Sequence, residues 1–180
     1  MFTLLLETLI AFFIGSVPFG ILVCQSFGLQ NPRSYGSTNI GASNVARQSY
    51  FAGVVTLVLD ILKGYLALKL LSTHDAILLA VVAGHCFSPL LAFNGGKGVA
   101  TCLGALLASQ PGVAAVLIFT WASVFVNRRV PATSSITSAI LLLIYAASSA
   151  KTWVGITSII ILVRHIPNVI ASRQPKTTQA

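Results

Sequence analysis

Apolar runs at roughly residues 3–24, 51–72, 76–93, 99–109, 112–126, 134–150 and 152–166 restrict this chain to one solvent, the lipid bilayer. Of its 180 residues, 56% are hydrophobic and only 8% are charged, and its mean hydropathy is +0.89. A soluble globular protein carries about 25% charged residues. The expected fold class is therefore an all-α integral membrane protein. It would be a compact bundle of about seven transmembrane helices, some of them short, in a single domain over residues 1–180.

A helix needs about 20 residues to cross the hydrocarbon, so the fourth to seventh runs are short. Residues 99–126 would suffice for one long helix, but Gln110-Pro111-Gly112 is a turn signal in their middle. A tight hairpin of two short helices is the better reading. Glu7 stands where a signal peptide would carry Lys or Arg, so residues 4–24 read as a retained first helix.

Charge sets the expected orientation. With the N-terminus outside, Arg33, Arg47, Lys97, Arg128, Arg129, Arg164, Arg173 and Lys176 fall on or beside the cytoplasmic face, and Lys151 falls outside with Lys69 near a helix end. That is the positive-inside asymmetry. It also explains the formal net charge of +8, from eleven Lys+Arg against three Asp+Glu. A nucleic-acid partner is excluded, because no basic stripe or interleaved aromatic platform accompanies the charge.

Three polar islands interrupt the hydrocarbon. They are Gly36-Ser37-Thr38-Asn39-Ile40-Gly41-Ala42-Ser43-Asn44 with Arg47, Asn94-Gly95-Gly96-Lys97-Gly98, and Arg164-His165 with Asn168. Polar groups left unsatisfied in lipid cost several kcal/mol each, so clusters of them at span ends mark a site. Glycines expose bare N–H groups and lysine or arginine adds charge, which together suit an anion such as phosphate. A helix starting near Ala42-Ser43 would add its N-terminal amides. The predicted topology puts all three islands on one face.

Several other chemistries fail on spacing. The second island is not a P-loop, since position 91 is Leu, Lys97 precedes Gly98 rather than Ser or Thr, and no strand leads into it. His74, His85 and His165 share no metal-ligand spacing, so neither a metal nor another cofactor is expected. Five residues after those histidines come Leu79, Leu90 and Ile170, so no His-x-x-x-x-Asp pair exists. Cys24, Cys86 and Cys102 lie in or beside apolar segments and read as small hydrophobes. Asp60 and Lys63, three residues apart within the second span, read as an internal ion pair. An anion transporter would need internal repeats or midplane polarity, and polarity here gathers at one face.

Five ordered motifs carry a resemblance. Gly15-Ser16-Val17-Pro18-Phe19-Gly20, the first island, Asp60-Ile61-Leu62-Lys63-Gly64, Gly84-His85-Cys86-Phe87 and Gly95-Gly96-Lys97-Gly98-Val99-Ala100-Thr101 closely resemble the bacterial acyl-phosphate:glycerol-3-phosphate acyltransferase (PlsY) family. The match continues through Arg164-His165 and Asn168.

The resemblance implies a seven-helix enzyme of the bacterial inner membrane. It would move a fatty acyl group from acyl phosphate to the 1-hydroxyl of sn-glycerol 3-phosphate, giving lysophosphatidate and inorganic phosphate. Its partners would be those two substrates and membrane lipid, with no obligate protein partner. The implied catalytic residues are Ser37, Asn39, Asn44, Lys97, His165, Asn168 and a third-loop serine, Ser134 or Ser135. The implied substrate-binding residues are Gly36, Gly41, Arg47, His85, Gly95, Gly96, Lys97 and Gly98. The chain departs from the pattern at Thr38, where glycine is usual, and at Asn94, where lysine is common. Its third loop, Val130-Pro131-Ala132-Thr133-Ser134-Ser135, follows the family only loosely.

The chemistry is consistent with the residues. Acyl phosphate is already activated, so catalysis needs orientation and oxyanion stabilisation more than a strong acid. With no obvious side-chain base, a bound phosphate is expected to take the proton of the glycerol hydroxyl.

Overall fold

A computed structural model describes residues 2–173 of the chain, and every regular element among them is helical. The first span, Phe2–Ser26, is broken at Pro18 into α1 (Phe2–Ser16) and α2 (Phe19–Ser26). Proline has no N–H with which to continue the ladder. A long connection containing the single-turn helix α3 (Ala42–Val45) leads to α4 (Tyr50–Leu70), whose N-cap Ser49 accepts from the Ala52 amide. Next come α5 (Asp75–Cys86), α6 (Val99–Ser109), α7 (Pro111–Arg128), α8 (Pro131–Ser148) and α9 (Thr152–Arg173).

Four segments are long and apolar enough to cross a bilayer alone: Phe2–Ser26, Tyr50–Leu70, Pro111–Arg128 and Pro131–Ser148. The shorter apolar helices Asp75–Leu91, Val99–Ser109 and Thr152–Pro167 bring the described spans to seven. The expected turn at Gln110-Pro111 is present between α6 and α7. The fifth and sixth spans are longer than the apolar runs suggested, at 18 residues each. Proline at the first helical position is preorganised for the helix, so Pro111 and Pro131 start these helices early, and α7 continues to Arg128.

Close packing falls on paired glycines. A Cβ at Gly15 would strike the Val81 carbonyl and one at Gly84 the Phe12 carbonyl, locking α1 to α5. A Cβ at Gly64 would strike the Thr101 carbonyl and one at Gly104 the Ile61 carbonyl, locking α4 to α6. Without a hydrophobic force between helices in lipid, such backbone approach supplies the dispersion contact that holds them together. Outward-facing Phe13, Phe119, Ile144 and Ile159 remain at least half exposed, as a surface against lipid tails requires.

The two ends of the bundle differ. One is closed by a small polar cluster in which Lys151 pairs with Asp75 at 3.0 Å. There Gln110 donates to Asp75 at 3.0 Å and Tyr145 donates to Gln110 at 2.8 Å. The other end gathers the polar islands. The eleven residues of α6 rise about 16 Å, roughly half of the hydrocarbon thickness. The glycine loop that precedes α6 is therefore recessed into the protein, with Gly95, Gly96 and Gly98 all buried.

Candidate active site

The first island is wound around Asn44, which is 3% exposed. Its side-chain amide donates to the carbonyls of Pro32 (2.8 Å), Tyr35 (2.9 Å) and Asn39 (2.9 Å), and its oxygen accepts from the Ser37 amide at 2.9 Å. Asn44 thus organises the loop and has little hydrogen-bonding capacity left for a ligand. Asn39 closes a smaller turn by accepting from the Gly41 amide at 2.8 Å. Gly36 has φ +57 and its Cβ position is filled by the Asn44 oxygen, so it serves the fold of the loop. Thr38, where the resembling family has glycine, sits at φ 56, a left-handed conformation uncommon for a β-branched residue.

The second island is held from two sides. The amides of Gly95 and Gly96 donate to the carbonyls of Cys86 and His85, each at 3.0 Å. Their own carbonyls accept from Arg164, at 2.6 Å for Gly95 and 3.0 Å for Gly96, and the same guanidinium reaches the Asn94 side chain at 3.3 Å. This corrects the expectation that these glycines offer amides to an anion, because both amides are engaged with the end of α5. The free donors here are the amides of the first turn of α6, which have no intrahelical partner. Gly98, at φ +82, turns the chain into that helix. Arg164, placed in the third island without a role, is the residue that fixes the loop.

Beneath the loop lies a buried network of Asp60, Lys63 and His85, each no more than 4% exposed. The Lys63 ammonium lies 2.7 Å from Asp60 Oδ1, 3.0 Å from the Val17 carbonyl and 2.8 Å from His85 Nδ1. The ammonium is thus ion-paired to the Asp60 carboxylate and hydrogen-bonded to the Val17 carbonyl and the His85 ring. The ion pair expected between Asp60 and Lys63 is present. His85 Nδ1 then accepts, which leaves the neutral ring its proton on Nε2. A Cβ at Gly96 would fall on that nitrogen. His85 is thus the platform on which Gly96 rests.

These elements surround a cavity of about 430 Å³. Ser37, Asn39, Gly41, Asn44 and Arg47 come to it from the first loop, His85 from α5, Lys97 and Gly98 from the second loop, and His165 from α9. Gly36, Gly95 and Gly96 stand behind the wall rather than in it. His165, 2% exposed, donates from Nδ1 to the Ile161 carbonyl at 2.7 Å, so Nε2 of the neutral ring is an acceptor. Asn168 and Lys176 lie outside the residues whose side chains are described.

The third loop places its two serines differently. Ser134 is fully buried and its hydroxyl turns back to the Val130 carbonyl at 3.4 Å, whereas Thr133 and Ser135 line the cavity. The cavity lining along the start of α8 includes Ser135 and leaves out Ser134. Of the expected pair, Ser135 is the serine at the cavity wall, and Ser134 is buried away from it. Cys24, Cys86 and Cys102 are all unpaired and buried in apolar clusters.

Lys97 is the half-buried cation of the site. Burial, reinforced by the nearby Arg164 charge, pulls its pKa down from 10.5 to about 8. A second cavity of about 420 Å³ adjoins the first. Its lining is mostly apolar, with Leu57, Ile61, Leu103, Leu117 and Leu142, and it shares Ser43, Val99, Ala100 and Ser135 with the polar cavity. A charged chamber thus opens onto a greasy groove.

The family model described as glycerol-3-phosphate acyltransferase matches residues 5–174 of the chain. A glycerol-3-phosphate acyltransferase of Laribacter hongkongensis is 38% identical over 184 residues, spanning 93% of this chain and 92% of that protein. The corresponding protein of Aromatoleum aromaticum is 42% identical over 178 residues, spanning 92% of this chain and 90% of that one. The crystal structure of PlsY (YgiH), an integral membrane glycerol 3-phosphate acyltransferase, in its glycerol 3-phosphate form superposes with a TM-score of 0.84. It has 30% identity and covers 95% of this chain and 94% of that one. The same protein in its lysophosphatidic acid form gives a TM-score of 0.80 at 29% identity, covering 95% and 93% of the two chains. With matches that run nearly end to end and the same helical architecture, this chain belongs to the PlsY family of integral membrane glycerol-3-phosphate acyltransferases.

Proposed function

We propose that this protein transfers a fatty acyl group from acyl phosphate to the 1-hydroxyl of sn-glycerol 3-phosphate. The observation that carries the reading is the junction of the two cavities. A basic chamber built around Arg47 and Lys97 suits phosphate, and the apolar groove suits a hydrocarbon tail. An acyl phosphate lying across the junction puts its carbonyl between them. The 1-hydroxyl oxygen attacks that carbonyl carbon and a new C–O ester bond forms. The bond from the carbonyl carbon to the bridging oxygen breaks, and inorganic phosphate leaves carrying the hydroxyl proton. Arg47, Lys97 and the first-turn amides of α6 would hold phosphate oxygens, since a helix N-terminus favours anions.

Direct transfer needs no acyl-enzyme, and the buried cysteines fit that requirement. A variant with alanine at Cys24, Cys86 and Cys102 should still make 1-acyl-glycerol 3-phosphate from palmitoyl phosphate and should not use palmitoyl-CoA. Equal rates from the two donors, or a trapped acyl-cysteine, would refute the reading.

The loop geometry yields a second test. In Gly96→Ala the added methyl must displace the His85 ring, which is pinned from behind by Lys63. Overpacking costs about 1–3 kcal/mol, so KM for glycerol 3-phosphate should rise by about fivefold to a hundredfold. Gly112→Ala, with nothing within 4 Å of its Cβ position, should leave KM unchanged. A wild-type KM for Gly96→Ala would remove the loop from the site.

We place the cavity end at the cytoplasmic face of the bacterial inner membrane, with the N-terminus outside, on the distribution of basic residues. A cysteine introduced at exposed Asn94, in the cysteine-free background, should resist impermeant thiol reagents in intact cells and react in opened ones. Labelling from outside would invert the assignment.

A further inference from the structure

We infer that Trp121 and Ser135 act as a coupled pair that presents a hydroxyl proton to the acyl carbonyl where the two cavities meet. This rests on the proposed placement of head and tail, and the pair itself is set by geometry. Trp121 lines the apolar groove, stacks on Phe125 with ring centroids 5.0 Å apart, and donates from Nε1 to Ser135 Oγ at 3.1 Å. Ser135, 8% exposed, lines both cavities.

The direction of the hydrogen bond matters. Indole N–H is a donor only, so Ser135 must accept from it and keep its own proton. Helical serines commonly give that proton to the carbonyl four residues earlier. Ser134 and Thr137 do so, to Val130 and Thr133. Among the described residues the Ser135 hydroxyl donates to no such carbonyl, and Ser138, one turn on along the same groove wall, leaves its buried Oγ without a partner. A buried hydroxyl kept as an unspent donor is costly unless a ligand accepts from it. At a junction between phosphate and hydrocarbon, the acceptor that every acyl donor brings is the carbonyl oxygen, which gains negative charge as the hydroxyl attacks. Ser135 is the contacting residue in this scheme and Trp121 positions it.

The test compares wild type, Ser135→Ala, Trp121→Phe, their double variant and Ser135→Thr, with kcat and KM for glycerol 3-phosphate measured on palmitoyl phosphate. Loss of one oxyanion donor lowers kcat by about a hundredfold to a thousandfold, so Ser135→Ala should show a loss of that order with KM for glycerol 3-phosphate unchanged. Trp121→Phe keeps a ring against Phe125 but removes the donor, and should lower kcat in the same direction by a smaller factor. The double variant should be no slower than Ser135→Ala, and Ser135→Thr, which retains the hydroxyl, should recover most of the rate. A wild-type kcat in Ser135→Ala would overturn the inference, as would losses that multiply in the double variant or an effect confined to KM. If wild type itself fails on palmitoyl phosphate, the donor reading falls. The same five proteins are then compared on the donor that wild type uses, since the carbonyl is common to all.

Discussion

Replacing Asp60 by alanine should lower the thermal unfolding temperature of the detergent-solubilised protein and abolish most of its activity. Asp60 supplies the one carboxylate beside the buried Lys63 ammonium, and both are almost fully sequestered. Removing one partner of a buried ion pair costs about 3–5 kcal/mol, because the other charge is left uncompensated. The damage should also spread to the site. Lys63 ties the break after α1 to α4 through the Val17 carbonyl and ties α4 to α5 through His85, the platform for Gly96. An ammonium drawn away to find new acceptors would release that ring. The double variant Asp60→Ala with Lys63→Met removes both charges and should recover part of the lost stability without restoring full activity. An Asp60→Ala protein that unfolds and turns over like wild type would show that the network carries no weight.

That network also shows how much was readable from sequence. The Asp60–Lys63 pair was visible, because three residues on a helix place two side chains on one face. Its third member, His85, lies on another helix, and no local periodicity reports a contact across 22 positions. The spans were legible for a similar reason, since apolar runs must match bilayer thickness, and the differences of a few residues fell at helix ends, among them the proline-started end of α8 and the last turns of α7 and α9. The glycine loop was recognised as a site element but with its amides pointing the wrong way. Composition locates a glycine, whereas the direction of its N–H depends on Arg164, some 70 residues later. The same limit hid Gly15 with Gly84 and Gly64 with Gly104, whose meaning lies in the neighbouring backbone. Ser134 and Ser135 differ by one position, which is a hundred degrees on a helix and outside the resolution of a loose motif. Asn44 was identified as a site residue, but its role as the post of the first loop needed the three carbonyls it binds.

Lys97→Ala and Arg47→Ala should each raise KM for glycerol 3-phosphate strongly while leaving membrane insertion intact. A lost hydrogen bond to a charged group costs about 1.5–3 kcal/mol, and the two together should weaken binding by the product of the single effects if they hold separate phosphate oxygens. Arg128→Ala is the matching control, an exposed cation at the end of α7 that does not line the cavity. Lys97 adds a pH signature. Its pKa, pulled down to about 8 by burial and by Arg164, means that the free enzyme carries the binding ammonium below that pH and loses it above. A phosphate monoester is already dianionic above its second pKa of about 6, so the substrate cannot produce an alkaline limb there. KM for glycerol 3-phosphate should therefore climb as pH rises through about 8, and the climb should vanish in Lys97→Ala. In Lys97→Arg, where the charge persists, the profile should be flat at an intermediate KM. An alkaline limb that survives in Lys97→Ala would assign the titration to another group, and a KM equal to wild type in both single variants would move the phosphate out of this chamber.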